Sequence, residues 1–168
     1  MPLIKEGRFV ADDWLRPLPG EAVPAGAKLL LPLDRLIAEG AALAEAGHML
    51  GVEVSNDTDL ALLEPWMQRL QLVSVAFPKS SDGRGFSMAA RLRRHGYARE
   101  LRASGHLIAD QYALAKGCGF DSVEISDKLA ARQPEAHWAE AEHSMSLAYQ
   151  RGYAGIRNIL SARWTAAE

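Results

Sequence analysis

LQLVSVAFPKSSDGRGFSMAARLRRHGYARELRAS, residues 70–104, changes periodicity twice, and those changes set the fold. Its first eight residues form a short run rich in Val and Leu that ends at Pro78, the pattern of a buried strand. A polar loop carrying Gly83 and Gly85 leads into a helical stretch near Phe86, and ELRAS (100–104) reads as the next strand. Strand, helix and strand in this order predict a βαβ unit, in which a right-handed crossover makes the two strands parallel.

The same alternation extends both ways. KLLLPL (28–33), GVEVS (51–55) and DSVEIS (121–126) read as further strands. DRLIAEGAALAEAG, with Asp34 as N-cap, NDTDLALLEPWMQRL, opening on Asn56 to Asp59, and SGHLIADQYALAKGCGF read as the helices between them. About five βα units predict an α/β fold with a mainly parallel sheet, either a flavodoxin-like open sheet or a partial TIM-like barrel. Residues 1–27, rich in Pro and Gly, are expected to be irregular. Residues 134–168 are expected to form a C-terminal helical segment, apolar at Trp138, Met145, Ala148 and Tyr149. In either layout the strand carboxyl ends gather Ser55 to Asp57, Pro78 to Gly85, Ser104 to His106, and Ser126 with Asp127 on one rim, the default place for a site.

The 168 residues, 48% hydrophobic and 24% charged, suit one soluble domain spanning 1–168. A net charge of -2 and a pI near 6.2 argue against a nucleic-acid-binding module. No apolar run reaches the roughly 18 residues of a membrane helix, and the N-terminus lacks a signal-peptide core, so a cytoplasmic location is expected. With Cys118 as the single cysteine, the chain can form neither an internal disulfide nor a Cys-x-x-Cys motif. "GRGFSM" lacks the third glycine of a dinucleotide fingerprint and no P-loop occurs, so no cofactor is evident.

Charge is distributed unevenly. Residues 79–102 hold seven basic side chains against Asp82 and Glu100, a local +5 in a chain of net -2. A glycine-flanked loop entering a helix presents backbone N–H groups and the positive end of the helix dipole, which favours an anion. Candidate anion- or partner-binding residues are therefore Lys79, Asp82, Gly83, Arg84, Gly85, Ser87, Arg91, Arg93, Arg94 and Arg102. On a helical wheel Arg91 and Arg94 share the polar arc with Ser87, where solvent alone can account for them. Arg93 falls in the apolar arc and must snorkel, pair with a carboxylate such as Asp57, Asp110 or Asp127, or reach into a site. Arg102, inside a strand, needs an anion or an acidic partner for the same reason.

Other constellations are weaker. Ser87 in "GFSMA" resembles a nucleophile elbow, but the loop before it is too long for the required sharp turn. His106 and Asp110, read at i, i+4 on one helix face, could act as an oriented base, and equally as a local ion pair. Cys118 is expected to be a buried structural thiol. Glu140 and His143 have the i, i+3 spacing of di-iron helices, yet such a site needs a second helix of this kind, so no metal is expected.

The segment FPKSSDGRGFSMAARLRRHGYARELRASGHLIADQYALAKGCGFDSVEIS, with Tyr149 and Gln150, resembles the DUF934 family of bacterial proteins. The family pattern falls on Phe77, Pro78, Asp82, Gly83, Arg84, Gly85, Phe86, Ser87, Leu92, Arg93, Glu100, Leu101, Arg102, Ala103, Asp110, Gln111, Cys118, Gly119, Phe120 and Asp121. Ser80, His106, Gly117 and Val123 depart from it, and the change at His106 weakens a catalytic role for that pair. The resemblance implies a link to assimilatory sulfite and sulfate reduction, where members are often labelled probable oxidoreductases. One cysteine cannot supply a Cys₄ cluster, so the label reads as inherited from gene company. The expectation is an accessory or docking protein that meets sulfite reductase, another sulfur-assimilation protein or a small anion, with room for a homo-oligomer. The other reading is an α/β enzyme acting on a phosphorylated or sulfo-anionic molecule.

Overall fold

The computed structural model describes residues 1–144. Eight strands form one sheet: β1 (Leu3–Lys5), β2 (Arg8–Val10), β3 (Trp14–Leu15), β4 (Lys28–Pro32), β5 (Met49–Val54), β6 (Leu70–Phe77), β7 (Glu100–Gly105) and β8 (Ser122–Glu124). The helices are α1 (Leu33–Glu45), α2 (Arg84–Arg94), α3 (Tyr112–Gly117), α4 (Asp127–Ala130) and α5 (Glu135–Ser144). Spatial order is β2-β1-β8-β7-β6-β5-β4-β3. Strands β3 to β8 are parallel neighbours in chain order, while β1 runs antiparallel to both β8 and β2.

This order forces curvature. Strands β2 and β3 lie at opposite edges of the sheet, yet only Ala11, Asp12 and Asp13 separate them in sequence. Seven strand spacings laid flat would put those edges roughly 34 Å apart. The link from Val10 to Trp14 reaches about 14 Å at most. The sheet therefore curls into a half-barrel, and since its parallel strands never reverse order it lacks the switch point of a flavodoxin-like open sheet.

The two faces are built differently. Leu29, Leu31, Val52, Val54, Val73, Val75, Leu101, Ala103 and Val123 alternate onto the outer face, where they pack with Leu36 of α1, Met88, Ala89 and Leu92 of α2, Tyr112 and Ala115 of α3, and Trp138 of α5. The opposite residues line the concave face, where Trp14, Leu30 and Leu72 form a small cluster of their own. Gly51 leaves room there, because a Cβ would lie 2.9 Å from the Trp14 ring.

Several elements depart from the sequence reading. Residues 1–27 are not wholly irregular: β1 and β2 form a hairpin through Glu6 and Gly7, both with positive φ, and β3 joins the sheet edge. Strands of two or three residues are too short to show an alternating pattern. Asp34 does not cap α1; Pro32 holds that position and Asp34 sits in the first turn, where its charge complements the helix dipole. Residues 56–69 form no α-helix but two 3₁₀ turns, Leu60–Leu62 and Glu64–Trp66. Asp59 caps only the first of them, and Pro65 has no N–H to continue a ladder. One of the expected βα units thus lacks its helix, and in its place Trp66 lies against Gly40 of α1. The C-terminal helical stretch is described as α5 to Ser144, with Trp138 buried; Met145, Ala148, Tyr149 and Gln150 lie outside the described residues. Among the described residues no helix is long and apolar enough to cross a membrane.

Phe77, 2% exposed, packs against Phe86 and Phe120 with ring centroids 5.0 and 5.8 Å away. A Cβ on Gly85 would sit 2.3 Å from its ring, whereas one on Gly83 would meet only Phe86, at 3.9 Å. Gly85→Ala is expected to lower stability in urea denaturation by about 1–3 kcal/mol. Gly83→Ala should stay within about 0.5 kcal/mol of wild type.

Candidate functional site

Register places Glu53, Ser74, Arg102 and Ser122 side by side across β5, β6, β7 and β8 on the concave face. Arg102 is 1% exposed and meets Asp12 twice, Nη1 to Oδ2 at 2.7 Å and Nη2 to Oδ1 at 3.0 Å. It also reaches Glu124 at 3.3 Å and Glu100 at 3.5 Å. Arg16 spans the hollow from above, donating to Glu53 at 2.8 Å and to Glu124 at 2.6 Å. Burial alone would raise the Asp12 carboxyl, but the hydrogen bonds and charge of Arg102 outweigh it and hold Asp12 below the usual carboxylate range. The sequence called for an anion or an acidic partner at Arg102; it left Asp12, Arg16, Glu53 and Glu124 unnoticed. The signal was present in GVEVS and DSVEIS, where a glutamate sits inside an otherwise apolar strand.

The loop before α2 closes on itself. Asp82 accepts from Arg84 Nε at 3.0 Å and Nη2 at 2.7 Å, and Asp57 accepts from Nη1 at 3.3 Å. The Arg84 hydrogen bonds, with Asn56 contributing, hold the Asp82 carboxyl far below its ordinary value. Arg84 is thus spent on two carboxylates. Arg93 pairs with Asp121 at 2.6 Å, rather than with Asp57, Asp110 or Asp127, and donates to the carbonyls of Gly119, Tyr97 and Arg99. It ties the end of α2 to the loops bounding β7 and β8.

The candidate cations do not converge. From Arg84, at the strand carboxyl rim, Arg91 and Arg94 lie about 10 and 15 Å down α2 at 1.5 Å per residue. Arg102 is on the opposite face of the sheet, while Lys79 and Ser87 are exposed near the rim. Gly83 and Gly85 shape the turn into α2. The proposed helical pair of His106 and Asp110 is absent, since Gly105 has φ +122° and His106 N–H donates to the Phe77 carbonyl, ending β7. Helical structure resumes only at the 3₁₀ turn Ala109–Gln111, leaving His106 in the rim loop. Cys118 is half-buried and burial pushes its thiol up, which makes it a poor nucleophile. Among the described residues no three His, Cys, Asp or Glu side chains are placed to hold a metal ion.

The rim does hold a cleft, of about 280 Å³, lined by Ser80, His106, Ile108, Leu129, Arg132 and Gln133. Ser80 follows β6, His106 and Ile108 follow β7, and the others come from α4 and the turn after it. Sequence reading reached His106 and placed the rim here, but missed Arg132 and Gln133, which follow the last strand by several residues.

The fold and site define an α/β protein with a curled, mostly parallel sheet, an ionic network in its hollow and a cleft on its rim. The chain belongs to the family described as bacterial protein of unknown function (DUF934), whose model matches residues 51–159, well over half of its length. No curated protein matches it.

Removing Arg102 strands Asp12 in the hollow, so Arg102→Met is expected to cost about 3–5 kcal/mol in urea unfolding. Asp12, with its lowered folded pKa, contributes stability above its unfolded value of about 3.9 and loses it as pH falls through the folded value. The stability gap between wild type and Asp12→Asn should therefore be widest near neutrality and close below about pH 4. A gap independent of pH would refute this role for Asp12.

Proposed function

We propose that the chain is an accessory protein of assimilatory sulfite and sulfate reduction that docks on an acidic partner surface through the outer face of α2. The sulfur assignment rests on the family resemblance. The observation that carries the docking reading is the pairing pattern of the arginines in one helix. Residues 84–94 contain no acidic residue, and Arg84 and Arg93 are held by Asp82, Asp57 and Asp121. Arg91 and Arg94 remain exposed, three residues apart and without an ion pair among the described residues. Their position in the last turn of α2 offers some compensation to the helix dipole, about 0.3–1 kcal/mol. Two like charges on one face offset part of that gain. A surface that keeps such a pair is suited to attract and orient a partner of opposite charge.

The charge-reversed double variant Arg91→Glu/Arg94→Glu should keep the wild-type melting temperature to within a few degrees and lose co-purification with sulfite reductase from cell extract. Both side chains are exposed, so the folded core is untouched. Undiminished co-purification of the folded variant would overturn the docking assignment.

A further inference from the structure

We infer that the rim cleft between the β6–α2 loop and α4 binds a small organic oxyanion, a phosphomonoester or a sulfonate with a compact apolar body. This site is separate from the outer face of α2 and does not depend on the docking reading.

The lining supports this through its imbalance of donors and acceptors. Four of its six side chains carry hydrogen-bond donors: the Ser80 hydroxyl, the His106 imidazole, the Arg132 guanidinium and the Gln133 amide. None of the six is a carboxylate. Arg132 and His106 are exposed and make no ion pair among the described residues, in contrast to Arg16, Arg84, Arg93 and Arg102. Gln133 is held at main chain and side chain: its Oε1 accepts from the Ala109 N–H at 2.6 Å, and its backbone carbonyl accepts from Trp138 Nε1 at 3.2 Å. That leaves the Nε2 hydrogens as the free end of the amide. An arrangement of unmatched donors around one guanidinium calls for a ligand rich in acceptors and negatively charged.

The remaining two lining residues, Ile108 and Leu129, give the cleft an apolar side. Bare sulfate or phosphate would leave that side unused, whereas an aromatic or aliphatic body would cover it. A volume of about 280 Å³ holds about nine waters at ~30 Å³ each, the size of a molecule of about ten heavy atoms.

The walls are braced before any ligand arrives. Gln111 Nε2 donates to the Ser80 carbonyl at 2.8 Å, which ties the β6–α2 loop to the turn before α3. His106 N–H donates to the Phe77 carbonyl at 2.9 Å, and Gln133 joins the turn after α4 to the start of that same 3₁₀ turn. Such cross-ties reduce the ordering cost of binding. The position, at the carboxyl ends of successive parallel strands, is where curled parallel sheets collect their ligands.

The test is a titration of the isotope-labelled chain, followed by amide NMR shifts, with phenyl phosphate, benzenesulfonate, inorganic sulfate and phenol. Saturable shifts at Ser80, His106 and Arg132 are expected with the two aryl anions, with weaker binding of sulfate and of phenol. The tighter of the two aryl anions tells a phosphomonoester site from a sulfonate site. Arg132→Ala, a substitution at an exposed side chain, should weaken binding at least about tenfold. Arg91→Glu/Arg94→Glu should bind as wild type does. The inference is overturned if no aryl anion binds saturably, if Arg132→Ala binds as tightly as wild type, if phenol binds as tightly as phenyl phosphate, or if the shifts map to α2 instead.

Discussion

Arg102 brings a full positive charge into the hollow of the sheet, and the chain must supply acids to that point from distant parts of the sequence. Glu100 and Glu124 come from β7 and β8, and Asp12 comes from the link between the two sheet edges, 90 residues away. The ionic contact and the curl of the sheet therefore require each other. Without the curl, Asp12 and Arg16 could not lie over β7 and β8. Without Arg102, the link would hold its carboxylate over a hollow that already contains Glu53 and Glu124, at a cost of several kcal/mol. Arg16, bridging Glu53 of β5 to Glu124 of β8, crosses the same hollow a second time.

Most residues that carry the family resemblance act in this architecture. Phe77 fills the space that Gly85 leaves open, and its carbonyl lies 2.5 Å from where a Cβ of Gly105 would be. Gly119 lets the Arg93 side chain pass, with a Cβ position 2.6 Å from Arg93 Cγ and φ at +105°. Asp121 then receives both Arg93 and the Leu101 N–H, locking α2 to β7. Asp82 and Arg84 stabilise the entry to α2. A motif dense in Arg, Asp and Gly can be a description of how a half-barrel is held together.

The legible part of the sequence was the part governed by long, regular patterns. β4 to β8, α1 and α2 followed from apolar runs and helical spacing, and the need of Arg93 and Arg102 for some partner, carboxylates among the choices, followed from their position among apolar neighbours. Which carboxylates they meet did not, because Asp12, Glu124 and Asp121 lie 90, 22 and 28 residues from the arginines they bind and the N-terminal strands hold too few residues to show a period. Residues 56–69 have helical composition, and only the stop imposed by Pro65 distinguishes two 3₁₀ turns from a helix. His106 looked helical for the same reason, until the φ of Gly105 turned the chain at the rim.

What the structure adds is the set of partners behind the division among the cations that the helical wheel drew. The local excess of positive charge separates into arginines that neutralise buried or neighbouring carboxylates and those without an ion pair among the described residues. Arg84, Arg93 and Arg102 belong to the first group, and their energy is spent inside the chain. Arg91 and Arg94 on α2, and Arg132 on the rim, belong to the second. A guanidinium already bonded to two carboxylates presents little net charge to a visiting anion, and displacing those partners would forfeit about as much as the visitor contributes. Within the basic run and the rim cleft, Arg91 and Arg94 on the flank of α2 and Arg132 beside His106 are guanidinium groups without an ion pair among the described residues, and are therefore free to meet an outside anion.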